Sequence, residues 1–383
     1  MKVETVIIGA GLSGLSCAVQ LEKEKIDYLL VEKTNRIGGR VGSIYEQDNI
    51  YDIGFQVFNT AYKNTMQLLE MDDVKLKMFK PGSVIHDGKT FHLISDPLRD
   101  PKQLFTSLYS SISTFKDKLK VLSLIAKLSN YDIQNDNSTD MQTIDFLKKQ
   151  KFSDKFIELF FTPFFAGIFL EKDLLTSSKF FKYVFSNFSK GLACLPSEGM
   201  QKIPDLIFKN ISSERLLLNQ YLEKVEDNGL LAFNNGQTIE AEKIILTGGS
   251  HKKVGLNEVL YNSVKNIYFE SDIRIDNGKY IHLFPKDNII NNVAVLNQVS
   301  RNYSKSNSLL SISVIGHDLK DKLDINQLRK KLANYFGGND SNYELVKSFD
   351  IKNATIKQNT NYFDSNTFSP TKRLIIAGDH SVY

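Results

Sequence analysis

Val3-Glu4-Thr5-Val6-Ile7-Ile8-Gly9-Ala10-Gly11-Leu12-Ser13-Gly14 is the stretch that decides the fold. Val3 to Ile8 has the length and apolarity of a short buried strand. Gly9-x-Gly11-x-x-Gly14 follows at once, and Leu15 to Leu21 continues with helical spacing before the polar run Glu22 to Lys25. A second apolar run, Tyr28-Leu29-Leu30-Val31, ends at Glu32. Strand, glycine turn, helix, strand and terminal acid in that order mark a β-α-β dinucleotide-binding unit. Gly9 permits the tight turn, Gly11 lets the backbone approach a pyrophosphate, and Gly14 lets the helix pack on the strand. The free N–H groups of the helix start, at Leu12 and Ser13, face the anion. Glu32 is placed to accept hydrogen bonds from both ribose hydroxyls, and its charge repels a 2′-phosphate. A plain glycine turn with a solvated Glu32 would not require all five features in sequence.

The next stretch narrows the choice of dinucleotide. Glu32-Lys33-Thr34-Asn35-Arg36-Ile37-Gly38-Gly39-Arg40-Val41-Gly42-Ser43 follows the acid directly. It resembles the R-x-G-G-R-x-x-S element of the flavin amine oxidase, protoporphyrinogen oxidase and carotenoid desaturase superfamily. The resemblance implies FAD, with Gly38 and Gly39 bringing further N–H groups to the phosphates; some amine oxidases hold flavin covalently through a C-terminal cysteine, and since no cysteine follows Cys194 the FAD is expected to be noncovalent. Arg36 and Arg40 would supply countercharge through forked hydrogen bonds, and Lys33 belongs to the same segment. Asp52-Ile53-Gly54-Phe55-Gln56 is similar to the family's D-x-G segment beside the flavin, which puts Gly54, Phe55 and Gln56 near the ring. The run from Leu218 to Val225 resembles the strand whose valine backbone holds adenine, here Val225. Leu374 to Asp379 resembles the last strand, whose Gly378-Asp379 pair meets the ribityl chain and phosphate.

These matches imply an α/β fold with a discontinuous Rossmann-type FAD-binding domain at residues 1–85, 192–265 and 365–383. Residues 86–191 and 266–364 would form an α+β substrate domain. The first of these reads as helical, with an amphipathic helix at 114–129 carried by Phe115, Leu119, Leu122, Ile125 and Leu128. Thr143 and Ser153 stand where helix caps belong. Phe156 to Phe188 holds ten phenylalanines. They suit a packed core first and the wall of an apolar tunnel second. Within that run Pro163-Phe164-Phe165-Ala166-Gly167-Ile168-Phe169 resembles the P-F-x-x-G-[IV]-[FY] segment of the same superfamily. Gly199-Met200-Gln201 with Ile203-Pro204 resembles its G-M-x-x-[IL]-P element. Residues 266–364 read mostly as strands, with a helix over 326–335.

Composition excludes several classes. Lys plus Arg is 48 against 44 Asp plus Glu, a net charge of +4 spread along the chain, so nucleic acid is not an expected partner. The longest apolar run, Leu159 to Leu170, is too short and too broken to span a membrane, leaving peripheral contact open. Cys17 and Cys194 form no metal or disulfide pattern, which suits a reducing cytoplasm. None of His86, His92, His251, His282, His317 and His380 has a metal-ligand spacing, so no metal site is expected; His380 is singled out by its place after Asp379.

The residues do not name a catalytic group, because a flavin carries the chemistry itself. The resemblance implies an oxidoreductase acting on an apolar or amine-type small molecule. The alternatives are a redox-neutral flavoenzyme such as a sugar mutase and a flavin-binding protein without turnover. Related chains place a helix after the Gly-Asp pair. The present sequence ends at Tyr383, four residues after Asp379, so a short form with loosely held FAD and slow turnover is the expectation.

Overall fold

The computed structural model describes residues 1–95, 99, 111–249, 259–316, 318–362 and 372–381. Its first sheet contains β1 (Lys2–Ile8), β2 (Tyr28–Val31), β10 (Leu216–Leu217), β11 (Leu222–Val225), β12 (Leu230–Phe233), β13 (Thr238–Thr247) and β19 (Leu374–Ala377). The strand order is β10-β2-β1-β13-β12-β11, with β19 also paired to β13. β10, β2, β1, β13 and β19 run parallel, and β11-β12 forms an antiparallel extension.

Alternation along the parallel strands divides the apolar side chains between two layers. Ile7, Leu30 and Ile245 face helix α1 (Leu12–Glu24) and the helix Lys202–Phe208. Val6, Ile8, Val31, Ile244 and Leu246 face Leu222, Leu231 and Phe233 of the hairpin. The helix α1 buries Gly14, Leu15, Ala18 and Val19, an i, i+4 stripe. It stops at Lys25, whose left-handed backbone (φ 57°) returns its N–H to the Glu22 and Leu21 carbonyls.

The second sheet contains β7 (Gly82–His86), β8 (Phe91–Ser95), β14 (Tyr261–Ser271), β15 (Ile281–Leu283), β16 (Ile290–Val295), β17 (Ser308–Ile315) and β18 (Tyr343–Ile356). Its order is β18-β14-β17-β16-β15-β7-β8, antiparallel except for β15-β7. One face buries Ile267, Phe269, Val293, Leu310 and Ile312 against Leu328 and Leu332 of the helix Ile325–Phe336. The other face looks toward the first sheet's loops, where the Tyr268 hydroxyl donates to the Asp52 carbonyl at 2.9 Å. Two small sheets join the halves: β3 (Ser43–Glu46) with β4 (Asn49–Asp52), and β5 (Phe58–Asn59), β6 (Leu76–Met78) and β9 (Ala193–Pro196). The sequence-based cuts at 85 and 265 fall inside β7 and β14, both strands of the second sheet. An unbroken apolar alternation does not show which sheet a strand joins.

The phenylalanine run packs as one cluster. Phe156, Phe161, Phe165, Phe169 and Phe181 are buried in it and the other five are partly buried. The helix Phe115–Lys127 corrects the sequence reading. Thr114 and Asp117 form its capping box, but Phe115, Leu119 and Leu122 are 66%, 51% and 43% exposed. Leu128 is buried as expected, together with Leu124, which lay outside the expected stripe. Buried Asp117 helps fix that rotation by accepting from Ser153 N and Oγ. Ser153 caps as expected, accepting from Phe156 N at 3.3 Å. Thr143 does not cap: its hydroxyl donates to the buried Thr176 carbonyl at 2.7 Å, and Gln142 holds the cap position.

Candidate functional site

The C-terminal ends of β1, β2, β13 and β19 meet where α1 begins. Gly11 precedes the helix with extended backbone (φ −71°, ψ 178°), and no side chain caps the first turn. The opening N–H groups of a 13-residue helix therefore remain available to an anion. A Cβ on Gly14 would lie 1.8 Å from the Gly9 carbonyl oxygen, so only glycine lets the helix sit this close to β1. Gly38 N donates to Ala10 O at 2.8 Å. At Gly39 (φ +59°) an added Cβ would come within 3.0 Å of Gly11 Cα. The second glycine pair thus lies directly on the first, two bare backbones side by side.

Glu32 is 5% exposed, and its carboxylate is oriented from three sides. Oε2 accepts from Ala10 N at 2.9 Å; Oε1 accepts from Thr34 N at 2.9 Å and Thr34 Oγ1 at 2.8 Å. A carboxylate has about four acceptor positions, so capacity remains for a ribose hydroxyl. Lys33 is exposed beside it. Val225 lies in β11, at the opposite end of the strand order from β10. The backbone bonds to Glu32 come instead from the segment before it, through Leu217 O and Gln220 N.

The two arginines of the R-x-G-G-R segment separate in role. Arg36 Nη1 donates to Ile37 O and Val41 O, and Nη2 to Gly39 O at 2.7 Å. Its guanidinium braces the glycine loop from within. Arg40 points outward. Its Nη2 lies 2.6 Å from Asp379 Oδ2, its Nη1 donates to Ala354 O, and Tyr261 lies under the guanidinium at 5.8 Å. Burial works against the Asp379 charge, but His380 and Arg40 outweigh it and hold the carboxyl below its usual value. A Cβ built on Gly378 would stand 3.7 Å from Ser13 Oγ, so the last strand ends at the start of α1. His380 is buried, with Nδ1 3.9 Å from Asp379 Oδ1.

Gly54 touches the second sheet: a Cβ there would meet Ile351 Cδ1 of β18 at 2.9 Å. Phe55 packs edge-on to Phe79, with centroids 6.2 Å apart. Gln56 Nε2 donates to Arg40 O at 2.7 Å, while its buried Oε1 has no hydrogen-bond partner among the described residues. Cys17 and Cys194 are both pushed up by burial, Cys194 to about 12, so neither thiol offers a ready nucleophile. His251 and His317 lie outside the described residues. Among the described residues no three His, Cys, Asp or Glu side chains gather as a metal site, and no helix is long and apolar enough to cross a membrane.

Sequence reasoning missed two groups. The Thr247 hydroxyl donates to Ile8 O at 2.8 Å and Gly9 O at 3.1 Å, holding the glycine turn on β13. Asp52 is fully buried, accepting from Ser43 Oγ at 2.5 Å, Met200 N at 2.9 Å and Tyr303 OH at 2.7 Å. Burial, partly offset by these donors, pushes its carboxyl up to about 6. The D-x-G and G-M-x-x-I-P patterns contained the signal as an acid and a backbone donor, but nothing local joins residues 148 apart.

An uncapped helix end, two abutting glycine backbones and a buried carboxylate with spare acceptor capacity fit a dinucleotide with a diphosphate. The fold and site define a flavoprotein of two-sheet architecture. The model of the family described as flavin containing amine oxidoreductase matches residues 12–383. The chain belongs to that family of FAD-dependent oxidoreductases, whose cofactor is noncovalent FAD. It is 22% identical to coproporphyrinogen III oxidase of Bacillus subtilis (strain 168) over 310 residues, 70% of this chain and 65% of that protein. It thus spans slightly less than two thirds of that relative. An oxidoreductase from Methanosarcina mazei shares the fold with a TM-score of 0.71 at 17% identity, covering 100% of this chain and 95% of that one. A reduced UDP-galactopyranose mutase shares it with a TM-score of 0.65 at 16% identity, covering 94% and 86%.

Proposed function

We propose that the chain uses FAD to remove a hydride equivalent from a C–H bond of a small, largely apolar or amine-type molecule. The observation that carries this reading is the convergence of Glu32, the open start of α1, Gly39 and the Arg40–Asp379 pair at one edge of the parallel sheet, across from the inner face of the second sheet. Ligands of open α/β sheets bind outside the carboxyl ends of the strands. When bound, FAD supplies the acceptor for the two electrons and hydrogen leaving the substrate. The residues of the chain do the rest. Glu32 receives the ribose hydroxyls, the α1 start and the glycine pairs receive the diphosphate, and Gly54 to Gln56 lie between cofactor edge and substrate sheet. The phenylalanine cluster packs against the sheet at Ile85 and Leu283 and would shield the site from water.

The experiment is extraction followed by anaerobic mixing. Purified protein should release FAD, and one class among amines, porphyrinogens and polyenes should bleach the oxidised flavin. Recovery of a nicotinamide nucleotide or FMN alone overturns the cofactor assignment. Isomerisation of a sugar nucleotide with no net reduction replaces the reading with a redox-neutral one. A loaded flavin that none of these molecules reduces points to a binding protein without turnover.

A further inference from the structure

The inner face of the second sheet carries a polar row that nothing in the nucleotide site uses. In β14, β17 and β16 the residues Asn266, Ser313 and Asn292 stand opposite one another in register. They are 0%, 4% and 2% exposed. Tyr268, two residues from Asn266, reaches Asp52 from the same face. Ala294, two residues from Asn292, joins the same apolar cluster as Tyr268. On the other side of the row Val264 and Ile315 pack on Ala166 of the helix Thr162–Phe169. Phe349 of β18 and Leu283 of β15 close its two ends. Three uncharged polar side chains thus stand in register between apolar groups, with Ser311 and Asn291 as their polar neighbours.

Two atoms of this row are unspent. Asn266 Nδ2 donates to Ser311 Oγ at 2.9 Å and Ile312 O at 3.2 Å, but its Oδ1 has no partner among the described residues. Asn292 Oδ1 accepts from Asn291 Nδ2 at 3.0 Å, but its own Nδ2 donates to nothing among them. One is an acceptor, the other a donor, with the shorter serine between. Leaving such atoms unpaired in the interior costs stability, and departures of this kind are expected at functional or strained sites.

We propose that Asn266 and Asn292, flanking Ser313, form a notch that recognises an uncharged amide-type group on the substrate. This rests on the reading of the space between the sheets as the substrate site. Strands lie about 4.8 Å apart, so the outer two are roughly 9.5 Å apart. One amide, whose N and O are about 2.2 Å apart, with a hydrogen bond of about 2.9 Å on each side, spans about 8 Å, the same scale as that backbone separation. A carboxylate or ammonium would enter with no charged side chain in the row to meet it, at a high desolvation cost. A pure hydrocarbon would leave both atoms unpaired. Gly167 borders the notch: a Cβ there would lie 3.3 Å from Asn291 Nδ2 and 3.4 Å from Asn292 Oδ1.

The test uses the full chain loaded with FAD and four probes of one shape: benzamide, benzoate, benzylamine and toluene. Binding is read by thermal shift and by the flavin difference spectrum. Benzamide should bind at least about tenfold tighter than the other three. Asn266→Leu and Asn292→Leu should each remove that preference while FAD content is kept and the melting temperature holds or rises. Gly167→Ala, which suits a helix, changes no sheet residue and crowds only Asn291 and Asn292, should weaken benzamide severalfold even where a leucine variant fails to fold. Equal binding of toluene or tighter binding of benzoate overturns the notch, as does unchanged benzamide affinity in the folded variants. A preparation that takes up no FAD overturns the oxidoreductase reading alone, because thermal shift on that preparation still decides the probe preference.

Discussion

The two edges of the site are built on opposite plans. At the nucleotide turn the backbone does the binding: Gly11 and Gly39 abut, and α1 begins without a cap. At the second sheet side chains do it, in a row assembled from β14, β17 and β16. Backbone recognition needs residues without side chains at fixed spacing, so it leaves a motif. Side-chain recognition across a sheet needs only the right residue at the right register, and any spacing along the chain will serve. The comparison teaches why a family can keep one cofactor while its substrates diverge: the turn tolerates almost no change, and the row tolerates many.

The sharpest break of this contrast is Gly14→Ala. Its Cβ would sit 1.8 Å from a main-chain oxygen that cannot swing away. We expect a loss of more than about 4 kcal/mol of stability, read by urea unfolding, with no FAD retained. Gly249→Ala, where nothing among the described residues lies within 4 Å of the added carbon, should leave both unchanged. Stoichiometric FAD in Gly14→Ala would mean that α1 does not seat on β1 in this way. Next in size is Glu32→Ala. Loss of charge-assisted hydrogen bonds to ribose should weaken FAD by roughly 1.5–3 kcal/mol, measured by titration of the apoprotein. Unchanged affinity would reduce Glu32 to a clasp for Ala10 and Thr34.

The contrast also explains what the sequence could tell. The β-α-β unit, Glu32 and the second glycine pair were legible because their spacing is local and each residue type has one physical use there. Ser308–Ile315 and the helix near 326–335 were legible from apolar period alone. The two faces of the helix Phe115–Lys127 were not, because the contacts that turn Asp117 inward come from Ser153. The bonds of Arg36 within its own loop were not legible either, since a guanidinium bonded to its own loop has the same sequence as one bonded to a ligand. Asn266, Ser313 and Asn292 were invisible: isolated asparagines and serines in strands carry no pattern until register pairs them.

A smaller effect separates the joint between the halves from both edges. The Asp52 carboxyl is buried between β4, Met200 and Tyr303 and keeps its proton to about pH 6. In the unfolded chain it would lose that proton near the ordinary aspartate value of 3.8. Between these two points the native state binds more proton than the unfolded one, so stability falls as pH rises. Asp52's favourable share is present below about pH 4 and is lost as pH passes about 6. Asp52→Asn, neutral throughout, should flatten this slope and gain up to a few kcal/mol over the parent at pH 7.5. Urea unfolding across pH 4 to 8 reads it. Parallel curves for parent and variant would show that the three donors compensate the charge fully.

The smallest expected effect is on the nucleotide side, at Arg40. The ion pair with Asp379 joins residues 339 positions apart and ties β19 to the glycine loop, yet its side chains are 40% and 45% exposed. An exposed pair contributes roughly 0–1 kcal/mol, because water already solvates both charges and holding two side chains together costs entropy. Arg40→Gln should therefore lower apoprotein stability by less than about 1 kcal/mol. FAD retention should suffer more, since a diphosphate beside the α1 start would lose a forked donor that neither Arg36, spent on its own loop, nor exposed Lys33 replaces. Gel filtration of the loaded variant at low and high salt separates the two roles. Salt should strip FAD from the parent gradually, by screening Arg40, and should matter little to a variant that has already lost it. A large fall in apoprotein stability, with FAD affinity unchanged, would make Arg40 a fastener of the last strand. The turn would then bind its anion by backbone alone.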